Sequence, residues 1–229
     1  MANEVIPYIE MCRREGVSLQ RGMNFRLRDN HSVILMSVRR GAPYRDRVED
    51  DGTTIIYEGH DVPRGVNCPD PKKLDQPETT ASGNVTENGK FHRAAQQFAR
   101  GEAPPERVRV YEKIKEGIWS YNGVFHLVNS WFEETDIRKV FKFKLVAVEG
   151  EEDFAKPALA HPIHRRVIPT AVKLAVWDRD RGCCVKCQSR EDLHFDHVIP
   201  YSKGGSSSTP ENIQLLCGKH NLAKHDKIE

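Results

Sequence analysis

Near the C-terminus, Cys184 and Cys187 are separated by two residues, and Cys217 and His220 repeat that gap. This doubled spacing suits closure of three thiolates and one imidazole around a tetrahedral Zn²⁺, and few folds meet that requirement. Two disulfides, or thiols that merely pack, are the competing readings. MANEVIPYIEMCRREG has neither the apolar core nor the small-residue cleavage site of an export signal, so the expected setting is the reducing cytoplasm. A metal is then the better account, because so small a module cannot draw enough stability from an apolar core alone. Cys184 carries the paired spacing, with Cys183 as a spare that could replace it. Cys12 and Cys68 have no partner pattern and read as ordinary thiols.

Between the two halves of this site lie FDHVIP and PENIQLL. Hydrolysis of a phosphodiester needs a base to take a proton from water, a divalent cation at the leaving oxygen, and groups that hold both. FDHV sets an aspartate beside a histidine; neighbouring side chains of an extended segment point to opposite faces, so a bend at the strand end divides their labour. The order of zinc knuckle, Asp-His, Asn, second knuckle and Asn resembles the HNH nucleases with their ββα-metal fold. The resemblance implies that His197 is the general base, that Asn212 orients it, and that Asp196 and Asn221 hold a catalytic Mg²⁺ or Mn²⁺. The chain departs from the common CxxCN pattern followed by Lys-Gly: in CGKHNLAKHDK, His220 takes a cysteine position and His225 a glycine position. His225, four residues beyond Asn221 on the same helix face, is therefore an alternative metal ligand, against the plainer reading of a solvated histidine at a helix end. SKGGSSS reads as a flexible loop whose Lys203 touches a phosphate, or as a linker only.

Upstream, a 229-residue chain with 38% apolar residues has room for a larger domain ahead of the zinc module. The break falls in VEGEEDFAKPALAHPIHRRVIP, which is acidic and proline-rich with no clear period. The expected division is a first domain over 1–150, a linker over 151–168 and a nuclease domain over 169–229, with residues 1–30 unassigned. SVILMSV, TTIIYEG, RVRVYEKI, GVFHLVNSWF and KVFKFKLVAVE are β-branched and aromatic runs that predict strands. Helical pattern is confined to the first fifteen residues, FHRAAQQFARG and PTAVKLAVWDRDR. No apolar stretch is long enough to cross a bilayer, so no membrane partner is expected.

Within this β-rich part, SYNGVFHLVNSWFE resembles the Tyr-Asp-Gly segment of SRA domains, which flip a modified cytosine out of DNA; Tyr121, Asn122 and Gly123 stand at the motif positions. RGEAPPERVRVYEKIKEG matches the strand before that segment, GAPYRDRVEDDGTTIIYEGHD the pocket segment, and KFHRAAQQFARG the helix that follows the pocket. The resemblance implies an α+β chain, with an SRA-like (PUA-like) twisted β-barrel followed by the ββα-metal module. An extruded base needs a π-face on each side and hydrogen bonds to its Watson–Crick edge. Tyr44 and Tyr57 would supply the faces, and Asp46 would accept from cytosine N4. An inserted residue keeps Asp50 and Asp61 as alternatives to Asp46, and ordinary strand packing is the alternative for both tyrosines. Tyr121 reads as structural, and Trp119 and Trp131 as core.

A net charge of +2 neither demands nor excludes DNA. Arg39, Arg40, Arg45 and Arg47 cluster around the pocket segment, and Arg165 and Arg166 lie in the linker; such groups pin phosphates without reading sequence, or are solvated surface. His60, His92, His126, His161 and His164 have no ligand spacing and are assigned no role. Joined in this order, the modules resemble SRA-HNH modification-dependent restriction endonucleases, which implies a type IV-like enzyme in a prokaryotic setting. The expected function is cleavage of double-stranded DNA containing 5-methylcytosine or 5-hydroxymethylcytosine, with a tethered nuclease acting at raised effective concentration. One HNH site cuts one strand, so a double-strand break calls for a homodimer, or for two monomers meeting on DNA. The alternatives are an HNH nicking or homing-type enzyme indifferent to base modification, and a non-catalytic methyl-DNA sensor.

Overall fold

The computed structural model describes residues 3–27, 31–49, 52–65, 70–148 and 167–228. Asp50, Cys68, His161, His164, Arg165, Arg166 and residues 151–166 of the expected linker lie outside the described residues. The expected strands form as β3 (Ser32–Met36), β5 (Thr54–Glu58), β6 (Glu106–Lys115), β7 (Ile118–Glu134) and β8 (Lys139–Ala147). Alternation explains them: in β6, Val108 and Val110 face inward while Arg107 is exposed. β7 is the hub, pairing with β6 over its first half and with β8 over its second; register shifts at Val110/Tyr111 and Leu127/Asn129 bend the ladder between the two partners. Short β2 (Met23–Asn24) and β4 (Arg47–Glu49) attach to β3 and β5, and β3 runs parallel to β6. The sheet curls around a core that includes Ile34, Tyr57, Val108, Phe125 and Phe141. Helix α2 (Glu87–Ala99) closes this core with Phe91, Ala94 and Ala95, and starts at Thr86, whose hydroxyl accepts from Gly89 N.

The first fifteen residues are not one helix. Glu4–Pro7 is a strand, β1, and only Tyr8–Glu15 is helical, as α1, which ends on Gly16 in the left-handed region. Residues 4–7 are held extended because strands flank them on both sides. β1 pairs antiparallel with β7 (Val5 opposite Ser120, Ile6 opposite Trp119), and Glu4 also lies opposite His194 in β9 (Leu193–His197). β9 in turn pairs with β10 (Ile213–Cys217), which leads into α4 (Gly218–Lys224). The sheet therefore runs β10-β9-β1-β7-β6-β3-β2 without a break. Val167 packs in the first core and donates to Gly52 O at 2.8 Å, whereas Ile168 packs in a second core with Val172, Leu193, Phe195 and Leu215. The expectation of a tethered nuclease is thus corrected: backbone hydrogen bonds make the β9–β10 hairpin continuous with the larger sheet.

Helix α3 (Thr170–Arg179) adds a second seam. Lys173 and Glu112 of β6 are both fully buried and paired at 2.7 Å. Lys173 also donates to Asn122 Oδ1, Asn122 donates to Glu112, and the Thr170 hydroxyl donates to the other Glu112 oxygen. Burial pushes the Lys173 ammonium down, against the pull of Glu112. Replacing Lys173 with Met strands a buried carboxylate, and is expected to destabilise the protein by about 3–5 kcal/mol, whereas joint Glu112→Leu and Lys173→Met should recover most of that loss. Urea midpoints of the three proteins check this; an unchanged midpoint for the single variant would remove the seam's importance.

Candidate functional site

The Cys/His set comes together as the spacing requires. Cys184 and Cys187 lie in the turn before β9, Cys217 ends β10, and His220 lies in the first turn of α4. All four ligand atoms lie within 4.8 Å of one another. His220 Nδ1 is 3.4 Å from Cys184 Sγ and 3.3 Å from Cys217 Sγ, and Cys187 Sγ is 3.8 Å from Cys217 Sγ. Tetrahedral zinc with ordinary Zn–S and Zn–N bonds would put S···S at about 3.8 Å and S···N at about 3.5 Å, so the set fits the ion. Burial raises the Cys184 thiol, but the backbone N–H groups of Cys217, Lys186 and Cys187, with His220, outweigh it and bring the pKa down to about 6. Cys183 Sγ turns instead to Arg181 O, at 3.4 Å, and is outside the set.

His197 ends β9, opposite Ile213. Burial, and then the charge of Lys224, lower its pKa to about 4, so the ring is neutral at neutral pH. Its Nε2 lies 2.8 Å from Ser207 Oγ. With Nε2–H donating to that hydroxyl, Nδ1 carries the lone pair that can take a proton. The SKGGSSS segment is therefore an ordered support, not a flexible loop. Gly205 N donates to Pro200 O, and a Cβ at Gly205 would collide with Ile199 O. Asn212 belongs to the same support: its amide donates to Ile199 O and Ser206 O and accepts from Ile199 N, while Ser207 holds the His197 ring. Ser207 was hidden in a run of small residues with no motif.

Asp196 is paired with Lys224 at 2.9 Å, and Lys224, itself buried, also donates to His197 O at 2.6 Å. Sequence gave Lys224 no role, although it sits one helical turn beyond Asn221 on α4. Asp196 and Asn221 offer oxygen donors of the kind that Mg²⁺ and Mn²⁺ take. Among the described residues, the Cys/His set is the one group of three or more His, Cys, Asp and Glu side chains drawn together. A cation at Asp196 would therefore have a single carboxylate from this group of side chains and would need Asn221 and water for further ligands. The helix-face argument for His225 fails: α4 ends at Lys224, and His225 has φ 52° and an exposed ring near Asp226 Oδ1. Lys203, expected at a phosphate, donates to Asp226 O at 2.7 Å.

Tyr44, Asp46 and Tyr57 line one cavity of about 660 Å³, with Arg39, Arg40 and Trp119 on its walls. Asp46 reaches it from between strands, with Oδ2 accepting from Ser37 N and Oδ1 from Glu58 N. Burial raises its carboxyl to about 7 against those two bonds, so it titrates near neutrality, and its deprotonated form is the stronger acceptor. Asp61 is bound to Arg138 and Lys72 at 2.5 and 2.8 Å, which removes it as the alternative acceptor. Tyr57 is fully buried, and its hydroxyl lies 2.9 Å from His60 Nε2. Tyr44 stacks on the same imidazole. His60, assigned no role from spacing, is thus a member of the cavity wall. Trp119 and Trp131 are half-buried, not core, and Trp119 faces the cavity. Tyr121 is fully buried against Tyr111, as a structural residue should be. Arg47 is paired with Glu49 at 2.6 Å, and Arg45 lies beside Asp46 with its backbone N–H on Glu58.

The ββα unit has a counterpart among known families: residues 182–227 match the HNH endonuclease family. This stretch is similar to HNH nuclease modules. HNH nucleases use divalent metals. No curated protein matches the chain. Among solved structures, the chain is similar to the SUVH5 SRA domain in complex with hemimethylated CG DNA, with 24% identity, coverage of 66% of this chain and 90% of that chain, and a TM-score of 0.43. The SUVH5 SRA domain bound to fully hydroxymethylated CG DNA gives 22%, 66%, 91% and 0.44. KRYPTONITE in complex with mCHH DNA, an H3(1–15) peptide and SAH gives 15%, 68%, 33% and 0.43. Among the described residues, no helix is long and apolar enough to cross a membrane.

Proposed function

We propose that this chain is a modification-dependent DNA endonuclease, in which residues 1–150 bind a flipped 5-methylcytosine or 5-hydroxymethylcytosine, 151–168 connect, and 169–229 hydrolyse a phosphodiester nearby. The observation that carries the reading is that Tyr44, Asp46 and Tyr57, nominated from sequence as a base pocket, share one cavity walled by Arg39 and Arg40. Tyr44 offers an aromatic face with Tyr57 buried in the wall behind, deprotonated Asp46 accepts from cytosine N4, and the arginines hold phosphates. In the HNH module, His197 Nδ1 takes a proton from water while Ser207 fixes the tautomer, and Asp196 and Asn221 hold Mg²⁺ or Mn²⁺. When bound, that cation stabilises charge on the leaving oxygen. Lys224 keeps Asp196 and the end of β9 together. One such site cuts one strand, so a homodimer makes the double-strand break.

A single methyl in an apolar pocket discriminates by about 10–200-fold. Full-length protein is to be incubated with Mg²⁺ or Mn²⁺ and matched duplexes carrying cytosine, 5-methylcytosine or 5-hydroxymethylcytosine. The expected result is cutting confined to a modified duplex, at a constant distance from the base because the sheet is continuous from pocket to nuclease. Equal cutting of all three would sink the pocket reading in favour of an unmodified-DNA nicking or homing enzyme.

A further inference from the structure

We propose that His60 is a placeholder for the flipped base: without DNA its ring occupies the stacking face of Tyr44, and a modified cytosine enters by displacing it. The proposal rests on the base-pocket reading above and adds how that pocket is kept before DNA arrives. The His60 and Tyr44 ring centroids are 5.1 Å apart and the planes 13° from parallel. A base between two rings needs about 7 Å, two contacts of about 3.5 Å each, so His60 and a base cannot share that face. Lys72 Nζ also lies over the Tyr44 ring, 4.1 Å from its centroid, and is anchored by Asp61 and Pro43 O. Tyr44 is therefore already engaged by two side chains.

The imidazole reaches the second aromatic residue as well. Its ring lies 6.1 Å from that of Tyr57, and its Nε2 is 2.9 Å from the Tyr57 hydroxyl. A flat ring with in-plane hydrogen-bonding atoms thus contacts both residues assigned to the pyrimidine. Gly22 makes room for it, since a Cβ there would meet His60 Nε2 at 2.6 Å and the Tyr57 hydroxyl at 2.9 Å. The backbone of His60 is clamped separately: its N–H donates to Asn88 Oδ1 and its carbonyl accepts from Asn88 Nδ2, both at 2.8 Å. Rotation about the side-chain bonds can then vacate the slot into the adjoining cavity without moving the chain.

Displacing His60 costs one stacked contact and one hydrogen bond. The cost is the same for every base, so it leaves the ratio of affinities alone and lowers occupancy by bases whose own contacts are weaker. For the full-length protein without added Mg²⁺ or Mn²⁺, His60→Ala is expected to bind a 5-methylcytosine or 5-hydroxymethylcytosine duplex roughly tenfold more tightly by fluorescence anisotropy. Tyr44→Ala, measured beside it, tests the pocket itself. A second readout does not depend on the variant's stability: with histidine ¹³Cε1 labelling, the His60 resonance, shifted by the Tyr44 ring current, should move with modified duplex and stay with unmodified duplex. If His60→Ala binds no more tightly, or the resonance stays put at saturating modified DNA, while Tyr44→Ala loses the preference, the placeholder is overturned and the pocket stands. If wild-type protein shows no preference for modified DNA and Tyr44→Ala changes nothing, the pocket reading fails and the placeholder with it.

Discussion

Replacing His197 with alanine is expected to slow DNA cleavage by about 10²–10⁴-fold, the range a positioned general base contributes. The ring has the required state: it is neutral at neutral pH, and with Nε2–H donating to Ser207 Oγ, Nδ1 is the basic nitrogen. No other described imidazole in the module can replace it. His194 is buried three residues back on β9 with Nε2 toward Asp192, His220 is in the Cys/His set, and His225 is exposed past the end of α4. The half-buried His197 ring bonds Ser207 Oγ and lies outside the Cys/His set, so truncation should leave the metal content intact. Initial rates on supercoiled plasmid, with zinc content and DNA affinity measured on the same sample, separate lost chemistry from lost structure. Undiminished cleavage by His197→Ala would remove it as the base and shift attention to Lys224 and Asp196.

What the sequence made legible was local in the chain. Cys184–Cys187 and Cys217–His220 are each one turn apart, so their geometry follows from spacing, and the alternating runs of β3, β5, β6, β7 and β8 carry their own period. What it hid depends on partners brought from far away. His60 has no ligand spacing, and its stacking partner Tyr44 meets it only when the β4–β5 hairpin folds. Lys173 looks like a solvent-facing helix residue until Glu112, on β6, is packed against it. β1 is a four-residue run ending in proline, too short for a period, and is extended because β7 and β9 flank it. Trp119 sits in an aromatic strand that suggests core, yet the curl of the sheet turns it toward the cavity. Ser207 and Lys224 were invisible for the same reason: the small-residue loop is folded by Asn212 and Gly205, and α4 swings its lysine under Asp196.

Loss of the zinc site should do more damage than loss of the base, and by a different route. In zinc-finger peptides a structural zinc supplies roughly 10–16 kcal/mol. Here Cys184 and Cys217 are themselves members of the second core, beside Phe195, Leu215 and Leu216. Cys217 is also the N-terminal boundary residue of α4, and His220 lies in its first turn. A helix of seven residues does not persist alone, so α4 depends on the hairpin and, with zinc in the Cys/His set, would depend on that ion. Asn221 and Lys224 ride on it, and with them go a proposed metal ligand and the cation that holds Asp196 and His197 O. Cys217→Ser is therefore expected to unfold the HNH module and abolish cleavage with His197 still in the chain, while the first core, built from other residues, persists. Circular dichroism melts should split into two transitions, with Trp177, packed on the second core, reporting the lower one. A chelator also takes Mg²⁺, so the cysteine variant is the cleaner test. Should it melt as wild type and cut at the wild-type rate, the four side chains would be a packing cluster and no zinc site.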